Sequence, residues 1–515
     1  MATARQIEEV DAFGGARVHF ALMEKRLSTD LMSATHSEVE EFAIEEGREL
    51  IRQLVQAHME LRAERERPVV VTGADGIQRT TKRASQRQLT TLVGEVRVER
   101  TAYQARDVEG LHPMDAALNL PREKYSHGVR RFVGEHAAIL SFDDVRSLLV
   151  KRAGTTVPKR QIEELAVRAA TDFEAFYESL RASSGIVEDT SFKDLLVMTF
   201  DGKGIVMMPD DLRPATKKAA ANAQRKLVTR LTGGEKRNRK RMAQVAAIYT
   251  VSRFVREPGD VLADLKRVRD AAARPKRPEV RNKRVWASVE QEPITVIDEA
   301  FRDARARDPQ HKRQWVVLVD GNKDQLEIIK AKSKDLGPVR IVIDLIHVLE
   351  YLWEAAHALD EDGNSTTVEV WVQERLHSLL RGSQAGRVGG HLRALAHQAQ
   401  LGGSRLKAVL AAADYLQTYA EYMQYDEALA MGLPIATGVI EGACRYLVKD
   451  RMDRGGARWT LKGAEAVLRL RAIRTNDDFD AYWEFHLAEE LRRTHAERYA
   501  HSAPPNPLRP LRSVK

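Results

Sequence analysis

Three carboxylates far apart in the chain stand where acids can do chemistry. Two apolar runs, Leu195-Leu-Val-Met-Thr-Phe and Gln314-Trp-Val-Val-Leu-Val, each end in an acid followed by glycine, Asp201-Gly202 and Asp320-Gly321. Each reads as a buried strand that delivers an aspartate to its end. For Asp201 a hairpin is an equal reading, because Asp-Gly between apolar runs is a strong turn signal and Gly204-Ile-Val-Met-Met208 supplies a return strand. Asp320 fits a hairpin less well: residues 321–330 carry apolar positions at helical spacing, and strand, acid, helix is the order that sets a side chain at an active-site edge. The third acid is Glu441. At 3.6 residues per turn, Ile440, Ala443, Cys444 and Leu447 form an apolar stripe, while Glu441, Arg445 and Lys449 line up on a neighbouring face. Taken alone, such a face is a solvated, salt-bridged helix. Two aspartates on strands and one glutamate on a helix together form a set that holds two divalent cations for phosphoryl transfer, since hard cations such as magnesium take oxygen ligands and keep several waters.

A fourth acid competes. Val339-Arg-Ile-Val-Ile runs into Asp344-Leu-Ile-His347 and a further apolar helix, so periodicity alone does not separate Asp344 from Asp320 as the second carboxylate. For His347 the commoner fate on an apolar face is a core histidine satisfied by a hydrogen bond.

At 515 residues the chain exceeds one core and suggests about three units. Lys plus Arg exceed Asp plus Glu by 82 to 74, a modest formal +8 whose distribution carries the information. Cys444 is the only cysteine, which excludes disulfide frameworks and thiolate zinc sites and suits a reducing cytoplasm. The N-terminus has no apolar signal core and no run approaches a membrane span, so a soluble, cytoplasmic, nucleoid-associated protein without membrane contact is expected.

In order along the chain, Ser37-Glu-Val-Glu40 reads as a capping box that opens a long amphipathic helix to about Arg65. Short strands are expected at residues 68–73 and 89–103, the latter turning near Gly94, with Lys82, Arg83 and Arg87 in a basic exposed loop. Residues 126–177 are helical. Within them, residues 143–169 resemble helix, glycine turn, helix, and the second helix begins with Lys159 and Arg160. This is either a helix-turn-helix entering a major groove or an ordinary helical hairpin. A basic stretch follows the Asp201 strand: Arg213, Lys217, Lys218, Arg225, Lys226, Arg230, Lys236, Arg237, Arg239, Lys240 and Arg241. Beside a candidate metal site it favours contact with phosphates over a merely solvated face. Ala243–Val251 resumes the sheet, residues 273–283 form a linker, and a helix spans about 294–307. About ninety helical residues, with loops at Gly382–Gly390 and Gly402-Gly403, separate His347 from Pro434; a basic helix covers 461–474 and a basic disordered tail 502–515.

The strand Phe200-Asp201-Gly202, the strand Leu318-Val-Asp320-Gly321, the motif Asp344-Leu-Ile-His347, and above all the segment from Thr437-Gly-Val-Ile-Glu441-Gly-Ala-Cys-Arg to Gly456-Ala-Arg-Trp459 resemble a bacterial insertion-sequence transposase of the DDE class. The likeness is greatest to the Kra-type family, which is related to the Mutator-like group; it extends weakly over the N-terminal third and fades before about residue 35 and after about residue 490. The resemblance implies an α/β ribonuclease H-like core interrupted by an all-helical insertion. It makes Asp201, Asp320 and Glu441 the catalytic ligands of two Mg2+ ions, with Mn2+ as substitute, and Asp344 and His347 an accessory motif. Phosphate contacts are expected from Arg445, Lys449, Arg451, Arg454, Arg458 and Trp459. The implied partners are double-stranded DNA, as transposon ends and target, and a second copy or more of the chain on that DNA. Expected regions are 1–110 (helix and short strands), 111–188 (helical, DNA-binding), 189–350 (core), 351–433 (insertion), 434–475 (the Glu441 helix) and 476–515 (helix and tail). The alternatives are a nuclease of the same core that cuts without joining, and a non-catalytic DNA-binding descendant.

Overall fold

The computed structural model describes residues 11–183, 193–222, 235, 239–265, 276–334, 339–360, 365–436 and 438–508. The chain divides into two units, residues 1–176 with 477–515, and residues 177–476. The two expected N-terminal regions and the C-terminal segment therefore share one unit.

In the first unit a helical pair, Gly14–Ser28 and His36–Glu64, precedes a two-stranded antiparallel ribbon of β1 (Thr81–Thr91) and β2 (Gly94–Gln104). The long helix is opened by a capping box, but the box is Thr35 with Glu38, two residues before the expected one. Its later turns set Val55 and Met59 against Leu89, Val96 and Val98 of the ribbon. β1 starts at Thr81, so Lys82, Arg83 and Arg87 lie on a strand rather than in a loop, and residues 68–73 make only isolated bridges in place of the expected strand. Helices His127–Ala137, Phe142–Ala153 and Lys159–Ala169 follow; Ser141 caps the second, and Gly154 ends it at φ 60°. The C-terminal helix Phe479–Thr494 belongs here: its His486 is buried, hydrogen-bonded to Asp172 at 2.6 Å. Residues 502–508 also pack onto this unit, with Leu508 bridged to Glu66, so this part of the expected disordered tail is ordered; residues 509–515 lie outside the described residues.

The second unit is mixed α/β. Its five-stranded sheet has the order β5-β4-β3-β6-β7, built from β3 (Leu195–Val206), β4 (Lys240–Val251), β5 (Arg281–Ser288), β6 (Gln314–Val319) and β7 (Val339–Ile343). β4 is antiparallel to both β3 and β5; β3, β6 and β7 run parallel. The buried apolar runs of β3, β4 and β6 explain why these strands read clearly in sequence. β5 did not: its first half, Arg281-Asn-Lys-Arg, is charged, and the expected linker, residues 273–283, runs into it. Helix Pro293–Arg307 is as expected, and helices Lys323–Lys334 and Leu345–Leu359 follow β6 and β7. Helices Ser365–Leu380, Ala385–Gln398, Gly403–Thr418 and Tyr425–Ala430 fill the span read as helical, with Ala385–Gln398 taking in most of the expected glycine loop. No helix among the described residues is long and apolar enough to cross a membrane.

Candidate functional site

The sheet brings Asp201 and Asp320 together. β3 does not turn at Asp201-Gly202; it runs on to Val206, with Asp201 opposite Val245 of β4, so the hairpin alternative fails and the acid sits inside the strand rather than at its end. β3 and β6 are parallel with Thr199 opposite Leu318, and the same register two residues on sets Asp201 beside Asp320, just beyond the end of β6. Asp320 opens a tight connection: its Oδ1 accepts from Asn322 N–H at 2.9 Å, and Gly321 has φ 89°. A side chain at Gly321 would meet Tyr415 and Tyr419 within 3.0–3.2 Å, and the Tyr415 hydroxyl donates to the Asp320 carbonyl at 2.7 Å.

The Glu441 segment is pinned at both ends to that sheet. Before it, Leu345 N–H donates to the Ile435 carbonyl at 2.9 Å, next to the end of β7. After it, Trp459 N–H donates to Val206 of β3 at 3.0 Å and Met208 N–H to Trp459 at 2.7 Å. In between, the stripe of Ile440, Ala443, Cys444 and Leu447 is buried as expected. The helical register is not the expected one. An α-helical turn, Gly438–Ala443, passes into a π-helical stretch, Cys444–Lys449, before α-helix resumes at Asp450–Met452. The wider turn breaks the i, i+4 alignment, and exposed Arg445 reaches Asp450 at 3.9 Å instead of Glu441. Two carbonyls in the π stretch, Tyr446 and Leu447, accept from the guanidinium of Arg471, the latter at 2.7 Å; burial holds that arginine down to about 10.

Cys444 ties helix to strand: its thiol donates to Asp201 Oδ2 at 3.1 Å, and burial together with the Asp201 charge pushes its pKa well up, so it stays a donor. Burial also raises the Asp320 carboxyl, and the Asp201 charge adds to this against the Asn322 hydrogen bond. Glu441 is exposed, yet partial desolvation followed by the charges of Asp344, Glu350 and Asp201 raises its carboxyl too. Asp344 is 2 % exposed and caps its helix through Ile346 N–H at 2.8 Å, so its carboxylate is already committed to the backbone. His347 donates to or accepts from Glu350 at 2.9 Å; burial lowers its pKa, but Glu350, Asp320 and Asp344 outweigh burial and raise it.

Among the described residues, none of Asp201, Asp320 and Glu441 is ion-paired with a lysine or arginine, and no three His, Cys, Asp or Glu side chains close round a single metal position. The donor type fits a hard divalent cation all the same: every one is a carboxylate, and burial, with neighbouring acids behind it, raises the proton affinities of Asp320 and Glu441.

The expected DNA-contacting residues divide. Lys159 and Arg160 stand exposed at the start of their helix, paired with Asp143 and, at 3.2 Å, with Glu164. Lys217 and Lys218 are exposed on helix Pro214–Ala221, Lys217 reaching Asp210 at 3.2 Å; Arg445, Lys449, Arg454 and Arg458 are exposed as well. Arg239, Arg451 and Trp459 are buried instead; Arg451 lies 4.7 Å over the Trp459 ring, whose Nε1 donates to the Met452 carbonyl at 3.0 Å, so these two hold the segment rather than meet a ligand. Thr437, Arg225, Lys226, Arg230, Lys236 and Arg237 lie outside the described residues. Sequence reasoning missed Tyr415, Arg471 and the donor role of Cys444; Tyr415 and Tyr419 show helical spacing, but nothing in the sequence names their partner. The chain matches no protein-family model, and no curated protein is significantly similar to it.

Proposed function

We propose that the chain is a DDE-class DNA transposase of the Kra type, with a ribonuclease H-like core split by the helical insertion. The observation that carries the reading is the convergence of Asp201, Asp320 and Glu441, from three distant segments, at one part of a mixed sheet where no lysine or arginine among the described residues is ion-paired with them. These three acids would hold two Mg2+ ions, or Mn2+. When bound, the ions polarise phosphate oxygens and lower the proton affinity of the attacking oxygen.

The protein's own part is positioning. The Cys444 thiol fixes Asp201, Asn322 N–H and Tyr415 fix the Asp320 turn, and the Arg471-braced π stretch sets the helical phase of Glu441. His347, biased toward its cationic form, offsets part of the negative charge beside Asp320. Exposed Arg445, Lys449, Arg454 and Arg458, one segment with Glu441, offer charge-assisted contacts to a phosphate backbone. Lys159 and Arg160, at the start of the second helix of a glycine-turned pair, suit a major groove. Asp344 is almost fully buried whereas Asp320 is partly exposed, which favours Asp320 over it as the reactive acid.

The test is a labelled DNA end with a free 3′-hydroxyl, incubated with target duplex and Mg2+ or Mn2+. Covalent attachment to the target is expected, and should vanish in Asp320→Asn and Glu441→Gln while DNA binding persists. Cleavage without attachment would favour the nuclease; binding with neither would favour the non-catalytic descendant.

A further inference from the structure

The helical pair Gly14–Ser28 and His36–Glu64 buries only Ala16 and Ala57. Val18, Phe20, Leu22, Ile44, Ile51 and Leu54 are 40 to 63 % exposed. Six half-exposed side chains of this size present on the order of 500 Å2 of apolar surface, at the upper end of what monomers leave bare and a large part of the roughly 800 Å2 per partner of a standard interface.

Seven residues of the long helix form a seam. Exposed Glu40, Ile44, Ile51, Leu54 and His58, with part-buried Gly47 and Leu61 between and after them, recur at spacings of four, three, four, three, four and three, the a/d pattern by which two helices pack. The other sides of this helix are occupied: Glu46 meets His19 at 3.2 Å and Arg26 at 3.5 Å on the first helix, and Gln56 meets the Arg97 backbone of β2. Gly47 sits mid-seam, where an added Cβ would touch nothing within 4 Å. No contact among the described residues therefore calls for glycine at a position where it weakens a helix relative to alanine; close approach by another backbone would.

We propose that this seam binds the same seam of a second copy of the chain, the two helices antiparallel about a two-fold axis near Glu49. In that register Ile44 faces Leu54, the small Gly47 faces the large Ile51, and Glu40 faces His58, so the seam is complementary to itself. A parallel, in-register pairing would instead lay Glu38, Glu40, Glu41 and Glu45 beside the same acids of the other copy. The inference does not rest on the proposed chemistry, and its test uses neither DNA nor divalent ions.

Light scattering and sedimentation of the full chain across a concentration range should show a dimer. Ile51→Glu should raise its dissociation constant about 100-fold or more, the effect of losing a central apolar anchor. Val70→Glu, at another exposed apolar position of the same unit, should leave the dimer intact, and circular dichroism checks that both variants are folded. A parent that is monomeric at every concentration, or a dimer that ignores Ile51→Glu, overturns the proposal. Register is read by oxidation of single-cysteine variants, the native Cys444 being buried. Gly47→Cys mixed with Ile51→Cys should cross-link; either variant cross-linking with itself, or no cross-link in the mixture, overturns the antiparallel arrangement.

Discussion

The second unit treats two groups of acids in opposite ways. On helix Pro293–Arg307, Glu299 and Asp303 are buried around Arg284, which pairs with both, with Asp303 at 3.1 Å, and is sandwiched between the rings of Tyr177 at 3.8 Å and Trp286 at 4.3 Å. Burial raises the Asp303 carboxyl, but Arg307 and Arg284 more than reverse this and hold it below its usual range. At the sheet edge Asp320 and Glu441 move the other way, because burial and neighbouring acids outweigh the Asn322 hydrogen bond at Asp320 and the opposing His347 at both. Acids that serve the fold come with their cations. Acids left among other acids, on rigid strands and a pinned helix, are arranged for a charge that arrives from outside.

The largest expected effect tests that contrast directly. Glu441→Gln or Asp320→Asn should lower Mg2+- or Mn2+-dependent strand cleavage by about 1000-fold or more, followed on labelled end DNA, with melting curves confirming the fold. A rate near the parent's would make the sheet-edge acids as structural as Glu299. Next, Arg284→Met takes the shared arginine from two buried carboxylates, leaving Asp303 to Arg307 at 3.3 Å and Glu299 to Arg181 at 3.6 Å, and should cost about 3 kcal/mol in urea unfolding; a loss under about 1 kcal/mol would erase the contrast from the other side. Arg445→Ala, on the same segment as Glu441 but exposed, should weaken end-DNA binding by about 1 to 3 kcal/mol without altering metal affinity.

Smaller effects sharpen the picture. Mg2+ at ten times its dissociation constant should stabilise the parent by about 1.4 kcal/mol, raise the melting temperature of Arg284→Met as well, and leave Glu441→Gln nearly unmoved. The smallest effect is the pH dependence without divalent ions. Asp320 binds its proton more tightly when folded, so its contribution to stability falls as pH rises from its unfolded value of about 4 through its raised folded value. Asp303 has the opposite sign, and its contribution is lost as pH drops below about 4 through its depressed folded value. Melting temperatures of Asp320→Asn between pH 4 and 7 should therefore decline less than those of the parent. An identical slope would mean that folding, through burial and the Asp201 charge, leaves the proton affinity of Asp320 unchanged.

Some of this was legible in the chain. Apolar runs longer than a half-buried strand needs gave β3, β6 and β7, and the order of strand, acid and helix placed Asp320 at a sheet edge. The apolar stripe of Ile440, Ala443, Cys444 and Leu447 told which face of the Glu441 helix is buried, because burial follows hydrophobic periodicity. The charged start of β5 hid a strand, since its partner β4 supplies the order that its own composition does not. The Asp201-Gly202 pair signalled a turn, and only pairing with Val245 and Gln244 of β4 kept the strand straight through it.

Residue type and local period were enough to place the acids and the apolar faces. Which acids are neutralised was decided by tertiary structure: Arg284 is 15 residues from Glu299, whereas Asp320 stands 119 residues beyond Asp201, a proximity created only by the parallel register of β3 and β6. The phase of Glu441 was decided there too. A period of 3.6 predicts Arg445 as its partner, but Arg471, 24 residues beyond Leu447, satisfies carbonyls that a π-helical turn leaves without their usual donors, and local sequence carries no record of a hydrogen bond made from so far away.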